Sequence, residues 1–319
     1  FEVPGQHGVC LGKQYSAHER VGIYIPAGTA PLVSSVYMTV IPAKVAGVKQ
    51  IIICTPPRRD TGDIDPHILA VANLLGVNEI YRVGGVQAIG AMAFGTKTIS
   101  KVDKIVGPGN AYVTEAKRQV YGFVDIDMVA GPSEVAIIAD QTANPDFVTC
   151  DLLAQTEHNG GIGYLISTSK KLTEIMRSRI DSGIIIQVKS LAEACEVANE
   201  IAAEHLEIMT EDPEKVQKSI RHAGAIFVGP YSPAVIGDYY AGPSHVLPTG
   251  GTARYFSPLS ASTFIKASQT IRYTPEALEA SKEHVQKLTE MEGLYLHRIS
   301  LEARLARNTP EPEKEKNPL

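Results

Sequence analysis

Tryptophan is absent from this 319-residue chain, aromatic residues make up 6% of it, and cysteine occurs four times with no C-x-x-C pair. Cys10, Cys54, Cys150 and Cys195 lie far apart, which excludes a disulfide scaffold and predicts reduced thiols in a cytoplasmic setting. His7-x-x-Cys10 lacks the second pair that a zinc motif needs. Long apolar runs are missing too: those around Ile51–Cys54 and Ile184–Ile186 are strand-sized, far short of the roughly 18 residues of a spanning helix, so no membrane role is expected. Positive charge is in deficit, with Lys+Arg 30 against Asp+Glu 35 and a net charge of -5, leaving no global field to draw in nucleic acid. No G-x-G-x-x-G fingerprint is present, so any dinucleotide must be held differently. Gly131-Pro-Ser133-Glu134 lacks the G-x-S-x-G elbow, so a serine hydrolase finds no support. The chain opens at Phe1 without Met or a secretory leader pattern, and loss of a preceding stretch is expected.

What is present is a globular composition, 44% hydrophobic with 27 Gly and 20 Pro, enough for about two domains of roughly 150 residues. Short β-branched runs alternate with longer amphipathic stretches, the pattern of βα units and a mostly parallel sheet. Strands are predicted at Val21–Pro26, Gln50–Thr55, Glu79–Val83, Lys104–Val106, Ile126–Val129, Val135–Ala139, Gly163–Ser167, Ile184–Val188, Leu206–Met209 and Ala225–Val228. Helices are predicted at Ser34–Ala46, Asp65–Leu75, Gln87–Phe94, Ala111–Val120, Pro145–His158, Leu191–Ala203 and Pro213–Arg221. So many strands exceed one compact sheet. The expected organisation is an N-terminal remnant (1–20), an α/β domain (21–138), a second α/β domain (139–258) split off at the polar turn Ala139–Pro145, and a helical tail (259–319) with helices at Ala261–Ser268 and Pro275–Glu292.

Several segments carry polar groups in patterns suited to chemistry. Gln155 and His158, three apart at a helix end, present an amide and an imidazole on one face; the spacing suits a metal site, but a helix-terminal His more often caps carbonyls. Glu204-His205 sits between a helix and a strand, where α/β folds commonly place functional groups, though by itself the pair more often reads as a hydrogen-bonded His at a sheet edge. Asp238 and His245 stand seven apart in a Gly/Pro segment too long for a simple turn. Glycine-rich turns at Pro26–Thr29, Gly84–Gln87 and Gly107–Asn110 each follow a strand and could receive a phosphate, or serve as plain βα turns. His297 alone reads as a surface histidine.

Taken in order, Glu19-Arg-Val-Gly-Ile-Tyr-Ile-Pro26, Ile41-Pro-Ala-Lys-Val-Ala-Gly-Val48, Gly84-Gly-Val-Gln-Ala-Ile89, Val106-Gly-Pro-Gly-Asn110, Ala130-Gly-Pro-Ser-Glu134, Asp151-Leu-Leu-Ala-Gln-Thr-Glu-His158, Ala203-Glu-His-Leu206, Gly237-Asp-Tyr239 and His245-Val-Leu-Pro-Thr249 resemble the histidinol dehydrogenase family from near Arg20 to His297. The resemblance implies two Rossmann-like α/β domains of aldehyde-dehydrogenase type with mostly parallel sheets, plus a small helical C-terminal appendage. It implies zinc held by Gln155, His158, Asp238 and His297, with Glu204 and His205 as the acid/base pair and His245 nearby. Ser133 and Glu292 would contact L-histidinol, and Tyr24, Gln87 and Asn110 would line the NAD site. The implied reaction is oxidation of L-histidinol through L-histidinal to L-histidine with two NAD+, the last step of histidine biosynthesis, in a homodimer whose tails complete each other's sites.

Three departures stand out. The family's helical N-terminal region is missing, the stretch from Lys170 to Ile184 is short by several turns, and Ala234 stands where many relatives carry Glu. The rival readings are a zinc- and NAD-dependent dehydrogenase of the same superfamily acting on another small alcohol, such as a sulfonated propanediol, and a catalytically silent zinc-binding scaffold.

Overall fold

A computed structural model describes residues 1–27, 30–157 and 160–306, and its contacts divide the chain into two compact units, 17–265 and 1–16 joined with the C-terminal residues from 266. The smaller unit joins both ends of the chain. Strands β1 (Glu2–Pro4), β2 (Cys10–Ala17) and β13 (Ile265–Arg272) form a three-stranded sheet in the order β1-β2-β13. Two helices, α10 (Pro275–Met291) and α11 (Tyr295–Ala306), complete it; Glu302 of α11 accepts from Gln286 of α10 at 2.7 Å and from Arg298 at 2.8 Å. The helix expected over Ala261–Ser268 is thus replaced by a short 3-10 turn at Ala261–Phe264 and by β13, because this polar segment finds its backbone partners in a sheet with the first residues of the chain.

The larger unit holds two five-stranded parallel sheets. In the first, β3 (Arg20–Tyr24), β4 (Gln50–Thr55), β5 (Glu79–Arg82), β6 (Lys104–Val106) and β7 (Asp125–Ile126) run in the order β5-β4-β3-β6-β7, with α1 (Val33–Val45), α2 (Pro66–Leu74), α3 (Gly85–Phe94) and α4 (Ala111–Val120) as crossovers. In the second, β8 (Glu134–Ala139), β9 (Ile162–Ser167), β10 (Ile184–Gln187), β11 (His205–Met209) and β12 (Ala225–Val228) run β10-β9-β8-β11-β12. Their helices are α5 (Pro145–Gln155), α6 (Lys170–Arg179), α7 (Leu191–Ile201) and α8 (Pro213–Gln217), with α9 (Ala234–Tyr239) following β12.

Both sheets are covered on both faces, which is why their central strands read as nearly unbroken apolar runs. Ile23 and Ile53 pack under Val36 and Val40 of α1 on one face, while Ile52, Cys54 and Ile105 meet Ile89 and Met92 of α3 on the other. Each such fully buried side chain contributes roughly 1.5–3 kcal/mol. Among the described residues no helix is long and apolar enough to cross a membrane.

Each sheet reverses strand order once, between β3 and β6 in the first and between β8 and β11 in the second. In open α/β sheets such reversals open a crevice at the carboxyl ends of the strands. The first sheet places Tyr24 and the Gly107 turn there.

Candidate active site

The second sheet uses its other edge. Helix α7 ends where Ala202 adopts a left-handed conformation (φ 51, ψ 50), turning the chain so that Glu204 precedes β11 and His205 opens it at the amino end. A non-glycine residue there costs about 1 kcal/mol, so the sharp turn is imposed by the burial of β11 in the sheet. All five residues of β11 are buried. Strand alternation sets Leu206 and Ile208 against α7 and α8, and puts His205, Glu207 and Met209 on the face of α5, where Met209 meets Val148 and Leu152.

These groups are held by one another. Glu204 Oε2 accepts the Glu134 N–H at 3.2 Å and lies 3.8 Å from His205 Nδ1, and Ser133 also hydrogen-bonds to the Glu204 carboxylate. Burial outweighs these favourable contacts and pushes Glu204 up to about 7. His205 Nδ1 donates to the Glu134 carbonyl at 3.3 Å, which fixes the tautomer, and Nε2 faces Asp238 Oδ1 at 3.3 Å. Desolvation alone would lower His205, but the Asp238 and Glu204 carboxylates reverse it and raise its pKa. The imidazole lies 5.8 Å from the Phe227 ring, on the wall of a cavity of about 530 Å³ that is also lined by Ile236, Asp238, His245 and Leu247.

Asp238 is delivered by α9, a helix that runs three residues into the Gly237–Gly251 segment read as a loop from sequence. The Ala234 N–H at its start donates to Glu207 Oε1 at 2.6 Å, and burial, with the Asp151 carboxylate beside it, pushes Glu207 up to about 8. His245 closes the segment: Nδ1 donates to the Asp238 carbonyl at 2.9 Å, Nε2 meets the Ser35 hydroxyl at 3.3 Å, and burial lowers its pKa.

Gln155 reaches the same level by register. Asp151 of α5 hydrogen-bonds with Glu207, and α5, as a crossover helix, runs antiparallel to β11. Four residues of helix rise about 6 Å and two of strand about 7 Å, so Gln155 comes level with His205. Gln155 is buried, and its Nε2 has no hydrogen-bond partner among the described residues. His158 lies outside the described residues. Glu292 follows α10 and His297 lies on α11; both are exposed and belong to the smaller unit.

At the carboxyl edge of the first sheet, the buried Tyr24 accepts the Gly85 N–H at its hydroxyl, 3.1 Å away. Gln87 is exposed on the first turn of α3, and Asn110 caps α4 by accepting from Val113 N–H at 3.1 Å. Gly28 lies outside the described residues. Sequence reasoning missed Ser35, Glu134, Asp151 and Glu207; only Glu207 left a signal, a carboxylate inside the apolar run His205–Met209.

Among the described residues no three His, Cys, Asp or Glu converge as a metal site. That set leaves out glutamine, so it leaves out Gln155. The sequence profile of the histidinol dehydrogenases matches residues 2–305. The histidinol dehydrogenase of Bacillus cereus is 50% identical over 316 residues, covering 93% of this chain and 73% of its own length. The crystal structure of histidinol dehydrogenase from Elizabethkingia anophelis is 40% identical, with a TM-score of 0.90 over 96% of this chain and 75% of that one. An acetylating aldehyde dehydrogenase from Geobacillus thermoglucosidasius, 14% identical, shares the fold, with a TM-score of 0.54 over 83% of this chain and 77% of that one.

Proposed function

The chain belongs to the histidinol dehydrogenase family, and from that premise we propose that it oxidises L-histidinol through L-histidinal to L-histidine, with two NAD+ and a resident zinc ion. The observation that carries the reading is the buried Glu204–His205 pair beside a half-buried Asp238, with His205 and Asp238 lining one cavity and His205 Nε2 at 3.3 Å from Asp238.

The residues fit zinc. Gln155 brings a buried amide level with the His205 imidazole; its nitrogen has no partner among the described residues, so nothing there fixes which amide atom faces the site, and the oxygen can be the one turned to a cation. Gln155, His158, Asp238 and His297 of the partner subunit would hold the ion, two oxygens and two imidazoles suited to it. Bound there, zinc would supply a Lewis acid that orients the substrate's amine and imidazole.

The first sheet fits a dinucleotide at its strand reversal, where Tyr24, Gln87 and Asn110 stand near the carboxyl ends of β3, β5 and β6. NAD+ would supply the hydride acceptor for both oxidations. The protein's own part is proton handling. With Nδ1–H committed to the Glu134 carbonyl, Nε2 of His205 is the position that exchanges its proton: once neutral and turned from Asp238 to the substrate, it takes the alcohol proton. Glu204, held near 7 by burial, then takes a proton from the water that hydrates the aldehyde. Ser133 fixes the Glu204 carboxylate and Glu292 would meet the substrate amine from the partner subunit, the chain working as a cytoplasmic homodimer.

NADH formation from L-histidinol and NAD+ tests the reading. Two NADH per histidinol, abolished by a chelator and restored by zinc, are expected. No turnover by a zinc-loaded dimer would redirect the assignment to another alcohol, with Ala234 the first place to look.

A further inference from the structure

Two oppositely charged side chains are buried beneath the first sheet's strand reversal, where the catalytic scheme makes no use of them. Lys117 of α4 and Asp127, just past β7, have side chains 3% and 0% exposed and form an ion pair. Both grip a single residue. Asp127 Oδ2 accepts the Gly107 N–H at 2.7 Å, and Lys117 Nζ donates to the Gly107 carbonyl at 3.0 Å. Asp127 Oδ1 also accepts the Met128 N–H at 2.7 Å. Gly107 has φ +113, and a Cβ placed there would overlap the Tyr24 carbonyl oxygen, so this turn is pressed against the end of β3 as only glycine allows. Three residues later Asn110 caps α4.

A buried ion pair is a poor source of stability, since apolar residues of similar volume often serve as well or better, and its best-attested use is to specify one geometry. Here opposite charges hold the N–H and the C=O of the same glycine, which forbids either flanking peptide from flipping. We propose that Lys117 and Asp127 are positioning residues, a clamp that holds the Gly107–Asn110 turn in the conformation that receives the dinucleotide. The inference rests on the NAD+ reading above and extends it to two residues that touch no ligand.

The test compares wild type, Lys117→Met, Asp127→Asn and the double variant, each zinc-loaded, by thermal unfolding and by separate KM values for NAD+ and L-histidinol. Each single variant leaves one buried group without its partner and should unfold earlier than wild type. The double variant should regain most of that stability yet keep a KM for NAD+ raised at least tenfold, with the KM for L-histidinol within twofold of wild type. A folded double variant with wild-type KM for NAD+ overturns the clamp, as does an equal rise in both KM values. Asp127→Asn is isosteric; should the double variant not fold, an unchanged NAD+ KM in that single variant overturns it as well. Wild type that turns over without binding NAD+ instead overturns the cofactor reading, and the clamp with it.

Discussion

Replacing Glu204 by glutamine should make the protein more stable at alkaline pH while removing its chemistry. Burial lifts this carboxyl from its ordinary 4.5 to about 7 in the folded state, whereas the unfolded chain keeps it near 4.5. Because the folded value is the higher, the neutral carboxyl's contribution is fully present below about 4.5 and is lost as pH rises through about 7. The gap corresponds to roughly 3 kcal/mol once the group is ionised in both states. Glutamine keeps the shape and, through Oε1, an acceptor for the Glu134 N–H, but cannot ionise. The stability of Glu204→Gln relative to wild type should therefore grow by up to about 3 kcal/mol between pH 5 and pH 8.5, widening the Tm gap by several degrees. Thermal unfolding at the two pH values measures it, and oxidation of L-histidinal should fall at least 100-fold in the same variant. Parallel pH dependences for variant and wild type would refute the buried-carboxylate argument. Wild-type aldehyde oxidation by the variant would remove Glu204 from the mechanism.

A methyl group at Gly224 would come 2.5 Å from the Glu204 carbonyl oxygen and 3.1 Å from that of Pro248, backbone against backbone, so Gly224→Ala should displace Glu204 and lower kcat at least tenfold; an unchanged kcat would argue against so tight a fit. Alkylation of the native enzyme with iodoacetamide near neutral pH should modify the exposed Cys150 and spare the buried Cys54, pushed up to about 12, leaving turnover unchanged; inactivation in step with alkylation would indicate thiol chemistry. Mixed dimers of His297→Ala and His205→Ala chains should regain one working site per dimer, whereas activity no higher than in either parent would exclude a site shared between subunits.

The sequence was most legible where burial on both faces leaves an unbroken apolar run. Strands β4, β6 and β12 lie where the pattern puts them. Helix α6, Lys-Lys-Leu-Thr-Glu-Ile-Met-Arg-Ser-Arg, went unread because only Leu172, Thr173 and Met176 are buried, Ile175 is half-buried and the rest is polar. Strand β13 shows no period-2 pattern, being exposed at nearly every position; its pairing belongs to the fold rather than to its own residues. Glu204, His205, Asp238 and His245 could be named from their segments. The groups that orient them could not: Ser35 meets His245 across 210 positions of chain, and Glu134 meets His205 across 71. Contacts that distant leave no periodic trace.

The sheet that ties together the two ends of the chain sets an order of events during synthesis. Residues 17–265 are contiguous and can close their two parallel sheets as soon as they clear the ribosome, but β1 and β2 must wait for β13. At ordinary elongation rates that delay is roughly 10–50 s. Throughout it β2 presents an unpaired edge, which makes β1 and β2 a foothold for chaperones or for a neighbouring chain on the same message.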